Sequence, residues 1–218
     1  MKKFTIILAV TIGNFLSASE SVDLLQAATQ GDLDRVLMLV KNGVNIEARG
    51  EHEFTSLHLA AREGHDKIVS VLLTNHAHIQ AKNKSDNTPL HAAAYRGHLP
   101  VIEILLAFSA QLEAKNEAGD TPLHSAAWKN RGASITLLAE KGAQLEQKNN
   151  DGDTPLHLAA WNNSTEALGA LIKKGAFLLA LNNENHSALD LAIQKGHTEA
   201  AAILEDALLK ASTNLSEK

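Results

Sequence analysis

The sequence contains no cysteine, one tyrosine, two tryptophans and four prolines in 218 residues, and it has no excess of positive charge. The missing cysteine excludes a disulfide framework, a thiolate nucleophile, cysteine zinc ligands and the lipid attachment site of a bacterial lipoprotein. Twenty basic residues against 25 acidic ones give a formal charge of −5, and without a basic stripe the chain is a poor candidate for nucleic acid. The segments that mark common catalytic sites are missing as well. There is no GxSxG, no phosphate-binding glycine loop ahead of a helix and no HExxH, so the reading is not an enzyme and no cofactor is implied.

What is present is repetition. TSLHLAA begins at Thr55, TPLHAAA at Thr88, TPLHSAA at Thr121, TPLHLAA at Thr154 and SALDLAI at Ser187, and one step earlier VDLLQAA begins at Val22. All six stand at one fixed spacing, so the chain is an array rather than one large core. In each unit the threonine can cap a helix and the proline fits its first position, where the missing N–H costs nothing. Leucine and two alanines give a small apolar face. Gly97 can close the helix begun at Pro89, and HLPVIEILLAF supplies a second helix with Val101, Ile104, Leu105 and Phe108 at helical spacing, with Pro100 tolerated in its first turn. Turn residues such as Asn116 and Gly119, Asn149 to Gly152, and Asn182 to Asn185 then predict hairpin-like loops between helix pairs.

The period, TPLHxAA, the Gly-His after the first helix in three copies and the LLxxGA-like unit ends together resemble ankyrin repeats, of an exported bacterial kind. The resemblance covers roughly Ser21 to Lys210. It implies an all-α solenoid of about six helix-turn-helix units with projecting hairpin-like loops, the terminal units acting as caps. It also implies a protein–protein interaction module that binds through its concave groove and loop tips. His58, His91, His124 and His157 then hold a position where the family uses the ring to tie the threonine to loop backbone. His65, His98 and His197 recur after the helix-ending position, and His52, His76, His78 and His186 stay unexplained; His76 and His78, two apart, do not make a zinc pair on a helix.

Departures from the pattern carry expectations of their own. Asn130 and Asn163 replace a helix-ending glycine and can adopt positive φ, whereas His76 and Ser109 replace the glycine after the second helix, where looser turns are expected. Leu25 and Asp190 replace the motif histidine at the two ends. Glu205, Asp206 and Lys210 in the last unit suggest the polar outer face that a stack needs.

The first 19 residues stand outside the repeat phase. Lys2 and Lys3, an apolar stretch over about Phe4 to Ile12, and Ser17, Ala18 and Ser19 form the three-part pattern of a signal peptide cut after Ala18 or Ser19. The stretch is too short and broken to span a membrane. The expected organisation is a leader at 1–19, a repeat domain at 20–210 and a polar tail at 211–218, in a monomer of the periplasm or secreted medium, with no membrane insertion after cleavage. Removing Lys2 and Lys3 leaves 18 basic against 25 acidic residues.

The three Trp and Tyr residues fall on one repeat position: Arg62, Tyr95, Trp128, Trp161, Gln194, followed by Glu63, Arg96, Lys129, Asn162, Lys195. By resemblance these positions lie at the exposed end of each first helix, on the concave face. Tyr95, Trp128 and Trp161 with Arg96, Lys129 and Asn162 are the candidate partner-binding residues, edged by Glu117, Asp120, Asp151 and Asp153. Trp, Tyr and Arg are the residues most enriched in binding hot spots. Such a groove suits a partner presenting apolar or aromatic groups amid basic residues. A scaffold protecting an envelope enzyme and a host-directed effector remain open beside this reading.

Overall fold

The structure, a computed structural model, describes residues 20–216; the expected leader lies outside the described residues. The helix α1 covers residues 20–30. It is followed by α2 (Leu33–Lys41), α3 (Ser56–Glu63), α4 (Asp66–Thr74), α5 (Pro89–Arg96) and α6 (Leu99–Ala107). The series continues with α7 (Pro122–Trp128), α8 (Gly132–Glu140), α9 (Pro155–Trp161), α10 (Thr165–Lys173), α11 (Ala188–Gln194) and α12 (Thr198–Ser216). Among the described residues there is no strand. The helices form six pairs in two layers: α3, α5, α7, α9 and α11 pack in series, and so do α2, α4, α6, α8, α10 and α12. The residues expected as a polar tail continue α12 as far as Ser216.

Local chemistry explains the pairs. Thr88, Thr121 and Thr154 each cap a helix whose first residue is proline, and Gly97 ends α5 at φ 91°. Leu90, Leu123 and Leu156 are buried, as are the paired alanines behind them, whose small side chains let neighbouring first helices approach closely. Ile102 and Leu105, Ile135 and Leu138, and Leu168 and Leu171 supply the second layer of the same core. Full burial of one such leucine stabilises by roughly 1.5–3 kcal/mol.

Asn130 and Asn163 take positive φ, 56° and 51°, as the sequence suggests. The turns at His76 and Ser109 are not looser. Both residues take positive φ, 66° and 68°, and keep the closing bonds of the glycine turns: Ser109 N–H donates to Leu106 O at 3.0 Å and Ala110 N–H to Leu105 O at 2.9 Å, matching Gly142 to Ala139 O and Ala143 to Leu138 O. Closure is retained by placing a side chain in the left-handed region, so the cost falls on conformational energy rather than on turn shape.

The loops are hairpin-like. Asn116 Oδ1 accepts the N–H groups of Ala118 and Asp120, and Asn149 and Asn182 repeat this one and two units on. Neighbouring hairpins are joined by single backbone bonds, from Glu117 N–H to Ser85 O, Asn150 N–H to Ala118 O and Asn183 N–H to Asp151 O. Gly119 is required here twice over: its φ is 79°, and a Cβ would lie 2.5 Å from the Asn150 side chain.

Candidate functional site

Where the first helices meet the hairpins, two features recur at four-residue separation on α5, α7 and α9: a histidine near the helix start and, one turn later, an aromatic. His124 shows the first. Its Nδ1 accepts the Thr121 N–H at 3.1 Å, the Thr121 hydroxyl lies 2.9 Å from the same nitrogen, and its Nε2–H donates to Asp153 O of the next hairpin at 3.1 Å. A ring that accepts at Nδ1 and donates at Nε2 is neutral. His58, His91 and His157 repeat the arrangement, reaching Asn87 O, Asp120 O and His186 O. Burial pushes His58, His91 and His124 down to about 4, and lowers His157 as well. In the last unit Ser187 and Asp190 preserve the helix cap, with no nitrogen to reach onward.

The histidines after the helix ends reach the other way. His65, His98 and His197 each bond through Nε2 to a backbone carbonyl of the preceding unit, at Thr29, Arg62 and Trp161. Arg131 makes the equivalent bond to Tyr95 O, and Ser164 to Trp128 O. The first helices α3, α5, α7 and α9 are therefore tied forward at their starts and backward at their ends. Among the described residues no group of three or more His, Cys, Asp or Glu is arranged to hold a metal ion.

The aromatic position lies beyond the cover of the hairpins. Tyr95 and Trp161 are each 38 % exposed and Trp128 is half-buried. Two adjoining hollows are found there. One, of about 510 Å³, is walled by Phe54, Tyr95, Trp128, Asp120 and Asp151 among others; the second, of about 480 Å³, by Trp128, Leu158, Trp161, Leu191, Asp151 and Glu184 among others. Trp128 borders both. The rings do not stack on one another: the one close ring pair among the described residues is Phe54 edge-on to His58, at 5.7 Å. Cations cover the outer rungs instead, with Lys129 Nζ 4.9 Å from the Tyr95 ring centre and Lys195 Nζ 3.3 Å from that of Trp161.

The remaining sequence candidates divide. Arg96 is exposed and lines the first hollow. Asn162 turns back to donate to Trp128 O at 2.5 Å, so its amide serves the stack. Asp120 and Asp153 are half-buried acceptors for the Asn149 and Asn182 amides, and burial raises the Asp120 carboxyl above its usual range. Glu117 is exposed at a hairpin tip, beyond the residues that wall either hollow. Asp151 is exposed and borders both hollows. Sequence reasoning missed Phe54, Leu158, Leu191 and Glu184. The repeat phase was the signal available: Phe54 aligns with Asp120, and Leu158 and Leu191 fill the variable place of TPLHxAA.

Stacked helix pairs with in-phase hairpins define a repeat solenoid, in which each unit contacts only its neighbours. A family model described as ankyrin repeats matches three stretches, residues 23–83, 57–149 and 136–215. The chain belongs to the ankyrin repeat family. A search of curated proteins found no match. Ankyrin repeats are generally protein–protein interaction modules and typically non-enzymatic scaffolds.

Proposed function

We propose that this chain is an exported protein that captures a partner protein in the groove between its first helices and hairpins, with Trp128 as the central anchor. The observation that carries the reading is the distribution of aromatics: both tryptophans and the single tyrosine border the two hollows, while the core is built from leucine, isoleucine, valine and alanine. A half-buried indole between two hollows gains contacts when both fill. Asp151 and Glu184 on the hairpin side favour basic residues next to the partner's apolar or aromatic groups. Export rests on Lys2, Lys3, the apolar stretch and the small residues before Glu20.

Expression in a Gram-negative host, followed by N-terminal sequencing of the periplasmic fraction, tests export; processing to Ser19 or Glu20 is expected, and an uncleaved cytosolic chain beside a processed control argues against it. Capture is tested by passing periplasmic extract over the immobilised protein. Trp128→Ala should weaken retention of a specific partner by about tenfold or more, and Glu205→Ala on the last helix should not. Equal retention by both variants moves the binding face elsewhere.

A further inference from the structure

The last unit exposes Glu205, Asp206 and Lys210 on α12, but its hairpin and first helix leave apolar residues exposed. In the interior units, Glu113 and Glu146 reach forward to accept the N–H groups of Gln144 and Phe177, and Lys115 and Lys148 reach forward to the carbonyls of Lys148 and Leu181. The residues in phase with these in the final hairpin are Leu179 and Leu181, 59 % and 46 % exposed. On the helix that follows, Ile193 takes the place of Ala61, Ala94, Ala127 and Ala160, all fully buried within the stack, and is 59 % exposed. Leu189, in phase with the buried Leu156, is half-buried. The same surface that each earlier unit presents to its successor is thus left open here, apolar at Leu179 and Leu181 where the interior units carry Glu and Lys, with the exposed Asp190 at the place of the interior histidines. Glu205, Asp206 and Lys210 are exposed on α12, with Lys210 paired to Asp206.

We infer that this C-terminal end of the stack docks against the same end of a second copy of the chain, about a two-fold axis. The surface continues the established unit-to-unit interface, so a helical surface is its natural cover. A further repeat in register does not fit, because isoleucine in place of alanine keeps a following first helix from approaching as the others do. Head-to-tail addition is disfavoured from the other side, since the first unit carries the Asp23–Arg35 ion pair at positions that are buried between units in the interior of the stack. A two-fold contact needs one self-complementary patch; Leu179, Leu181 and Ile193 meet their own copies without repulsion, and Asp190 on the same face is engaged by Ser187 of its own cap. The protein is then a dimer whose two grooves are held in fixed relation, in place of the monomer suggested by sequence.

Sedimentation equilibrium of the purified full chain, from micromolar to near-millimolar concentration, tests this. The expected result is a mass rising to twice that of one chain and no further. Leu179→Glu with Leu181→Lys and Ile193→Ala, which restore the residue types of the interior units, should weaken association at least about tenfold with the helical circular dichroism unchanged. If that triple variant loses its helical signal, Leu181→Lys alone, at an exposed site, carries the same test. A wild-type mass that stays at one chain, a mass that climbs past two, or a folded variant that associates as wild type each overturns the inference; a single-chain mass with the patch occupied by a different protein does so too.

Discussion

Two ladders run along the first helices, four residues apart, and only one is covered. His91 and Tyr95, His124 and Trp128, His157 and Trp161 are i, i+4 pairs, which share a helix face. The histidines are buried, whereas Tyr95 and Trp161 are exposed and Trp128 is half-buried. Helical geometry does not distinguish them; the hairpin of the following unit does. It lies over the start of each helix, where it accepts the imidazole N–H, and ends before the last turn. The ladder under the hairpin holds the units together, and the ladder beyond it is free to meet another molecule. Fold and candidate site are therefore successive turns of the same helix.

The largest expected effect separates the ladders by pH. Folded His58, His91 and His124 sit near 4 and their unfolded rings near the ordinary 6.5. Below pH 6.5 the unfolded chain binds more protons than the folded one. Their contribution is thus complete above about pH 6.5 and is lost as pH falls toward 4. At pH 5 each of the three rings should cost roughly 2 kcal/mol. Urea unfolding at pH 7 and pH 5 measures it, and an unchanged midpoint would refute the buried neutral ladder.

Next comes a contrast between the interior and the end of the first ladder. His124→Ala removes a buried ring and leaves the Thr121 N–H and Asp153 carbonyl without partners, a loss of about 3–5 kcal/mol. Asp190→Ala removes an exposed cap with no onward bond and should cost about 1 kcal/mol. Denaturant titration that finds equal losses contradicts the tie between units.

Much of this was legible in the sequence because the repeat states each rule several times. Thr-Pro and the capping asparagines announce helix starts and turns through local chemistry that tertiary contacts do not override. The stripe of Tyr95, Trp128 and Trp161 was legible for the same reason. What stayed hidden depends on the next unit. Asp120 and Asp153 read as free rim charges, yet the amides of Asn149 and Asn182 occupy them. Asn162 read as a contact residue, yet its amide reaches the backbone of Trp128. The lysines lying over Tyr95 and Trp161 required the rise from one helix to the next. Leu179 and Leu181 gained meaning only against Glu146 and Lys148, whose reach across the units is a structural fact.

The second ladder should be nearly silent in folding. Trp128→Ala removes a half-buried ring, so its stability cost should stay near 1 kcal/mol, well below that of His124→Ala, while partner capture falls about tenfold, equivalent to 1.4 kcal/mol. Thermal unfolding and capture measured on one preparation decide the matter. A stability loss matching that of His124→Ala would make the two ladders one core.

The smallest effect concerns the rungs on either side of Trp128. Lys195 Nζ lies 3.3 Å from the Trp161 ring centre, and Lys129 Nζ lies over Tyr95, whereas no cation lies over Trp128 among the described residues. An exposed cation over an aromatic face is worth about 0.5–1 kcal/mol, and Lys195 is exposed, so the lower figure applies. Lys195→Ala should lower stability by about 0.5 kcal/mol and alter the fluorescence of Trp161 while sparing Trp128. Its effect on capture has a sign. A partner that brings basic residues competes with Lys195 for the Trp161 face and for the charges of Asp151 and Glu184, so removal of the lysine should tighten capture. Weaker capture by Lys195→Ala would mean that the lysine itself meets the partner, and that the groove selects acidic rather than basic neighbours around its aromatic anchor.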